Sequence, residues 1–408
     1  MYNPKTTRKS ASWLVATASD KSGGYRTIFE HAKAMQNAGW EITLYIREGK
    51  SSESTRKLIE RHFSIYFQNV VIGWNQILPC DAVFATIWYS ASVVESLTFK
   101  CRKYYFIQDF EPVFLPTGSQ YIAAKNSYGL SLEPITLGRN LSVLLQKQYG
   151  LKSKNIDFGA DLSTYKYLNQ KRELALCFTY QPKKQRRCSA LGITALHILK
   201  ILRPEITIYL YGSNDKSKHP FSHTNLGFLS VEDCNELYNK CILGVCLSAS
   251  NPSRIPFEMM ASGLPVIDLW GENTCYDYPD SSITLSKDTP LSIAMAIIDM
   301  LDDDTKRNAL HKNALAFMAE RDISNETASL TKLIEPNNAQ NTSDNTFNKL
   351  YKKDAFECKE KQTSQIQDLI TNYYLPKPSI AHKIPEALHP LCKYLKNIFH
   401  VITVNKRR

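Results

Sequence analysis

Apolar runs and helically spaced apolar positions alternate along most of this chain. Runs at 12–18, 41–46, 70–73, 81–88, 104–108 and 134–137 predict strands. Helical spacing fills 25–38 and 119–128, with Thr27 and Glu30 as a capping box and Gly39 as a stop. The alternation breaks near 152–165 and then resumes. Runs at 174–179, 205–211, 241–247 and 264–269 predict further strands. Spacing at 188–199, 230–239, 289–301 and 306–317 predicts helices, the second capped by Ser230 and Asp233. Strands alternating with helices imply parallel sheets covered on both faces. The predicted fold class is therefore α/β, with two Rossmann-like domains (residues 1–155 and 156–335) and a cleft between them.

Residues 336–348 are polar and predict a linker. Residues 349–408 predict a basic helical tail. Within it Leu391, Leu395, Ile398, Phe399 and Ile402 share one helical face. A helix over 391–408 is expected either to lie on an anionic membrane or to pack on the protein.

Composition narrows this picture modestly. The chain has 408 residues, 43% hydrophobic and 22% charged, enough for two globular domains of about 150–200 residues each. Net charge is +11, and residues 346–408 hold twelve Lys and Arg against five Asp and Glu. A basic balance permits anionic partners, but no nucleic-acid motif is present, so nucleic acid is not an expected partner. The ten cysteines show no C-x-x-C pair and no zinc spacing. Reduced thiols and a cytoplasmic location are the expectation, with the tail making peripheral contact with the inner face of the membrane. The run at 13–18 is too short for a signal peptide, and no run reaches the ~18 apolar residues of a spanning helix.

In sheets of this kind ligands sit beyond the carboxyl ends of the strands. Four turns stand there. The first carries Gly23 and Gly24, which allow backbone to approach a ligand closely. Asp109 and Glu111 follow the run at 104–108. A basic cluster at 183–187 includes Arg186 and Arg187. The fourth stretch, 250–267, carries Ser253 and Arg254 ahead of a helix, and Glu258 among Phe257, Met259, Met260 and Ala261. A carboxylate in so apolar a helix is costly unless paired. Arginines, Ser253 and free helix N–H groups suit a diphosphate, and Glu258 suits ribose hydroxyls. There is no Walker loop, G-x-G-x-x-G, G-x-S-x-G or H-E-x-x-H. Pro220 separates His219 from His223, so no metal site is expected, and His31 is expected to be structural.

The segment Phe257-Glu258-Met-Met-Ala-Ser-Gly263-Leu-Pro-Val-Ile267 resembles the E-A-M-A-x-G-x-P-V-I segment of GT-B glycosyltransferases of family four. The stretches 252–263 and 105–112 resemble, more narrowly, bacterial WsaF-type rhamnosyltransferases. Gly23-Gly24, Phe158-Gly-Ala-Asp161, the basic turn, Gly227 and Glu258 follow in the same order, so the resemblance spans residues 12–335. It implies a retaining transfer from a nucleoside-diphosphate sugar onto a glycan or lipid-linked acceptor, with no metal cofactor. It places the donor on the second domain, with Arg186 on the diphosphate and Glu258 on the ribosyl part. Asp109 and Glu111 match an acidic segment on the acceptor side, where they are the expected catalytic residues, activating or binding the acceptor. Ser250 stands where the wider family has a glutamate facing the donor sugar, and Gln181 where the basic turn often begins with arginine. The first departure suits a deoxysugar donor such as dTDP-rhamnose. Both departures leave a second expectation open, a nucleotide-sugar-binding pseudoenzyme or scaffold in glycan assembly.

Overall fold

The computed structural model describes residues 8–18, 22–335, 347–360 and 362–375. The chain divides into two units, Met1–Glu360 and Lys361–Arg408. In the larger unit β1 (Ser10–Thr17), β2 (Glu41–Glu48), β3 (Asn69–Ile72), β4 (Ala82–Ala85), β5 (Arg102–Ile107), β6 (Glu133–Leu137) and β7 (Lys154–Ile156) form one sheet, ordered β3-β2-β1-β4-β5-β6-β7. Helices α1 (Gly23–Asn37), α2 (Ser52–Phe63), α3 (Trp88–Glu95), α4 (Ser119–Asn126) and α5 (Arg139–Tyr149) connect its strands. A second sheet holds β8 (Glu173–Thr179), β9 (Thr207–Tyr211), β10 (Thr224–Asn225), β11 (Cys241–Val245), β12 (Val266–Leu269) and β13 (Thr284–Ser286), ordered β10-β9-β8-β11-β12-β13. Its helices are α6 (Ser189–Leu202), α7 (Val231–Lys240), α8 (Ile255–Ala261), α9 (Glu272–Cys275), α10 (Pro290–Asp302), α11 (Asp304–Met318) and α12 (Ile323–Leu333). The smaller unit contributes α13 (Ser364–Tyr374). Pairing in both sheets is parallel. Both strand orders reverse beside the first strand, which opens a crevice at the carboxyl ends of β1 and β4 and again at those of β8 and β11.

Burial explains why the runs are strands. Trp13, Leu14 and Val15 of β1 are fully buried. Trp13 stacks on Phe84 at 4.2 Å and meets Phe106 edge-on at 5.6 Å, while Leu14 joins Tyr105 and Ile107 in a separate cluster. Successive side chains thus enter different layers, as a sheet covered on both faces requires. Ser230 and Asp233 form the expected capping box of α7, with the Asp233 N–H to Ser230 Oγ at 3.0 Å. Gly39 closes α1 at φ +92°.

Two expectations change. Thr27 does not cap a helix: α1 already begins at Gly23, and Thr27 lies buried inside it. Residues 349–360 are not helical but run extended. Leu350 and Tyr351 donate N–H groups to the Cys275 carbonyl, and Phe356 exchanges backbone bonds with Leu285 and Lys287 beside β13. An edge strand offers unpaired backbone groups, and this segment satisfies them. The predicted amphipathic helix at 391–408 lies outside the described residues, as do residues 336–346 of the predicted linker. Among the described residues no helix is long and apolar enough to cross a membrane. Finally, α12 falls late in the chain yet packs against α1 of the first sheet.

Gly192 shows how closely α6 approaches β8. A Cβ there falls 2.1 Å from Cζ of Phe178, a fully buried ring. Gly→Ala inside a helix ordinarily stabilises by about 1 kcal/mol. Here overpacking reverses the sign, and Gly192→Ala is expected to destabilise by roughly 1–3 kcal/mol. A urea denaturation midpoint at or above that of the wild type would contradict this.

Candidate active site

Loops from the carboxyl ends of the two sheets meet in the cleft. After β5 the chain makes a 3-10 turn, Glu111–Phe114. The Tyr128 hydroxyl pins it, donating to the Asp109 carbonyl at 3.3 Å and accepting from the Glu111 N–H at 3.2 Å. Asp109 is thereby presented to the loop after β11. Its Oδ2 accepts from Ser250 Oγ and its Oδ1 from the Asn251 N–H, each at 3.0 Å. The Asn251 amide donates in turn to the carbonyls of Gln108 and Leu137. Burial pushes the Asp109 carboxyl up, while the Asn251 N–H and the charges of Arg187 and Arg186 draw it back.

Arg186 lies on a 3-10 turn after β8, its Nε 3.7 Å from Asp109 Oδ2, with the Phe114 ring 4.4 Å from its guanidinium carbon. Arg187 is buried beneath the same loop and donates to Ser248 Oγ at 3.1 Å. Its charge also reaches Asp268, which burial pushes up to about 7 although Ser248 and Leu269 donate N–H groups to it. Arg187 therefore supports the loop from below.

Arg254 corrects an expectation. Both Nη atoms are bound to Glu326, at 2.6 and 2.7 Å, and they also donate to the Gly159 carbonyl and to Thr27 Oγ1. With its donors spent on the protein, it is a tie between α8, α12 and α1 rather than a free diphosphate ligand. Ser253 Oγ turns toward Cys246 Sγ at 3.5 Å. Two further features weaken the helix start as an anion site: α8 has only seven residues, and Pro256 removes one N–H.

Glu258, one turn into α8, is half-buried. Desolvation pushes it up to about 7 against the pull of Arg254 and Arg26, and Tyr165 hydrogen-bonds it. It thus stands beside first-domain charges at the α1 end of the cleft. Glu111 accepts from the Trp88 N–H at 2.5 Å and from the Tyr105 hydroxyl at 3.2 Å, and burial pushes it up to about 8. Near neutral pH its carboxyl is largely protonated and holds the start of α3. Gly23 and Gly24 open α1; no atom lies within 4 Å of a Cβ built at Gly23, and at Gly24 the nearest is Gln108 Oε1 at 3.8 Å. Residues 19–21 of that turn lie outside the described residues. Gly227 has φ +70°, and a Cβ there falls 2.4 Å from Asn214 Oδ1. It lines an open pocket of about 690 Å³ with Asp215, Lys216, Lys218, His219 and His223. Among the described residues no three His, Cys, Asp or Glu side chains are grouped to hold a metal ion. His31 is buried and bonded to the Thr27 carbonyl.

The sequence reading missed Asn251, Tyr165, Glu326 and Asp277. Asp277 accepts from the N–H groups of Arg139 and Asn140, so a second-domain carboxylate caps α5 of the first domain. No spacing announces such partners, because they stand far apart in the chain.

Residues 174–298 match the family model described as WsaF, C-terminal domain. Over 256 residues the chain is 28% identical to the O-antigen biosynthesis protein RfbC of Myxococcus xanthus, covering 58% of this chain and 19% of that protein. The chain therefore spans about a fifth of this relative's length. Among solved structures it is similar to Anabaena HepE in complex with UDP and glucose, at 16% identity and a TM-score of 0.64, covering 79% of this chain and 98% of the other. It is also similar to a mutant of S. aureus TarM in complex with fondaparinux, alpha-GlcNAc-glycerol and UDP. That likeness has 9% identity and a TM-score of 0.63, over 80% of this chain and 99% of the other. At these identities the likeness shows the fold, which is GT-B.

Breaking a buried ion pair from one side leaves an uncompensated charge and costs about 3–5 kcal/mol. Glu326→Ala is expected to lose that much in denaturant titration, and a loss below about 1 kcal/mol would remove the tie argued for Arg254. Glu111 makes a separate prediction about pH. Its folded value of about 8 lies above the ordinary 4.5, so the folded state holds the proton more tightly. The stability this contributes is complete below pH ~4.5 and is lost as pH rises through ~8. The stability of Glu111→Gln relative to wild type should therefore climb from about pH 5 to about pH 8, and a constant difference would refute the shift.

Proposed function

We propose that this chain, with its WsaF-type C-terminal domain on a GT-B fold, is a glycosyltransferase of O-antigen or related surface-polysaccharide assembly. It takes a nucleoside-diphosphate sugar as donor and a glycan or lipid-linked saccharide as acceptor. One coincidence carries the reading. The WsaF match at 174–298 encloses Arg186, Ser250 and Glu258, and those residues stand at the cleft edge of the second domain.

In this reading Arg186 binds the diphosphate, with Arg187 adding its field from beneath. The departing diphosphate gains charge in the transition state, and a preorganised guanidinium lowers that barrier without a metal. Glu258 and Tyr165 take the ribose hydroxyls. Asp109 and Glu111 belong to the acceptor wall, Glu111 as a neutral hydrogen-bonding acid. The donor is proposed to be dTDP-rhamnose and the transfer retaining. The support is the WsaF likeness together with Ser250, a short side chain where the wider family has a glutamate. The basic tail, with twelve Lys and Arg in residues 346–408, is proposed to keep the enzyme at the inner face of the membrane, near a lipid-linked acceptor.

Purified protein should be stabilised in thermal melts by dTDP-rhamnose more than by UDP-glucose, since a ligand that binds only the native state raises its stability. Arg186→Ala and Glu258→Ala should each lower transfer about 100-fold or more, as losing one such stabilising donor does, without losing the folded state. Wild-type rates in both variants would sink the donor-site assignment. Nucleotide-sugar binding without transfer to any lipid-linked saccharide tested would favour the scaffold reading.

A further inference from the structure

Asp109 comes from the first domain, and beside the Phe110 N–H of its own segment, which donates to Oδ1 at 2.9 Å, second-domain groups satisfy its carboxylate. Oδ2 takes the Ser250 hydroxyl and Oδ1 the Asn251 N–H, on consecutive residues of the loop after β11. Arg186 and Arg187 add positive charge from the turn after β8. A hydroxyl, a backbone N–H and arginines converging on one acidic group are the donor set that recognises a phosphate. Arg186 itself is only partly engaged. Its Nε is buried without a hydrogen-bond partner, because 3.7 Å to Asp109 is too long for one. The Phe114 ring covers the guanidinium at 4.4 Å. Asp109 and Phe114 lie on one short segment that ends in the 3-10 turn, so a single movement of that segment uncovers Arg186, Ser250 and the Asn251 N–H together.

We propose that Asp109 is a built-in competitor for the phosphate-recognising groups of the cleft, holding the Ser250 hydroxyl, the Asn251 N–H and the field of Arg186 that a nucleoside diphosphate must take over. The inference rests on the reading of the cleft as the donor site. A carboxylate and a phosphate cannot share these donors, since both are acceptors of like charge. Donor binding then requires the 109–114 segment to release the second domain. That couples the arrival of donor to the freeing of Asp109 toward the acceptor side. A bare anion gains only the phosphate contacts from this exchange, whereas a nucleotide adds those of its ribose and base.

The test is calorimetric titration of wild type, Asp109→Asn and Phe114→Ala with UDP, dTDP and inorganic pyrophosphate. Asparagine keeps the shape and one acceptor oxygen but removes the charge. Asp109→Asn should bind all three about tenfold more tightly, the factor regained when a latch closed about nine-tenths of the time is released. Phe114→Ala should gain roughly two- to fivefold, the scale of one cation–π contact. Phe114 is exposed, so this arm decides the matter if Asp109→Asn does not fold. Nucleotide affinity unchanged or weakened in the folded variants, with wild type binding normally, overturns the competitor role and leaves the donor-site reading standing. If neither wild type nor the variants bind any nucleoside diphosphate, the donor-site reading fails and the inference falls with it.

Discussion

The bidentate pair between Arg254 and Glu326 is the constraint on which much of the cleft depends. Both side chains are largely withdrawn from water, Glu326 almost completely. Two charges so placed are tolerated only when every donor and acceptor is used. Glu326 accordingly also accepts the Gly159 N–H at 2.7 Å and stands 3.6 Å from His31 Nε2, while Arg254 reaches Thr27 and the Gly159 carbonyl. The pair thus binds together α1, the crossover between the sheets, α8 and α12. Gly159 has to be glycine here, because a Cβ falls 2.9 Å from the Arg321 carbonyl oxygen. Where α8 begins is set by this junction, and Glu258 is placed one turn further along.

The same closeness shapes the acidity of the cleft. Glu111 is pushed up to about 8, Glu258 to about 7 and Asp277 to about 6, each chiefly by desolvation. Glu258 and Asp277 lose water where they meet the other domain, whereas Glu111 is enclosed by Trp88 and Tyr105 of its own. The cleft therefore carries fewer negative charges near neutrality than its residue count suggests. That suits a site proposed to receive a diphosphate. Asp109 is raised by burial as well, and donors and charges from the opposite domain draw it back. On the proposed reading of the cleft the phosphate-recognising groups belong to the second domain and Asp109 of the first occupies them, so release of Asp109 and access to Arg186 become one event.

Much of the scaffold was legible in the sequence because its causes are local. A strand buried on both faces leaves a short apolar run, and the runs around Trp13, Tyr105, Phe178 and Leu243 mark strands of the two sheets. Ser230 and Asp233 cap α7 because a serine and an acid three residues apart reach each other's backbone whatever the rest of the fold does. Glu258 stood out as a carboxylate in an apolar helix, and the structure gives the anomaly a physical consequence in its raised pKa. Thr27 and Glu30 carried the same local signal as Ser230 and Asp233 and failed, because the chain entering from β1 starts the helix earlier, at the glycine pair.

What only the tertiary structure decided is which charged groups are free. Arg186 and Arg254 look alike in the sequence, two arginines in polar turns ahead of apolar helices. One keeps an unbonded Nε at the cleft and the other spends its donors on Glu326, 72 residues away. Asp109 finds Ser250 across 141 residues, and Asp277 caps a helix 138 residues earlier. Period and spacing report neighbours within a turn or a strand pair. Partnerships over such distances exist only once two separately formed sheets bring their loops together, and desolvation at that meeting then decides which groups stay charged.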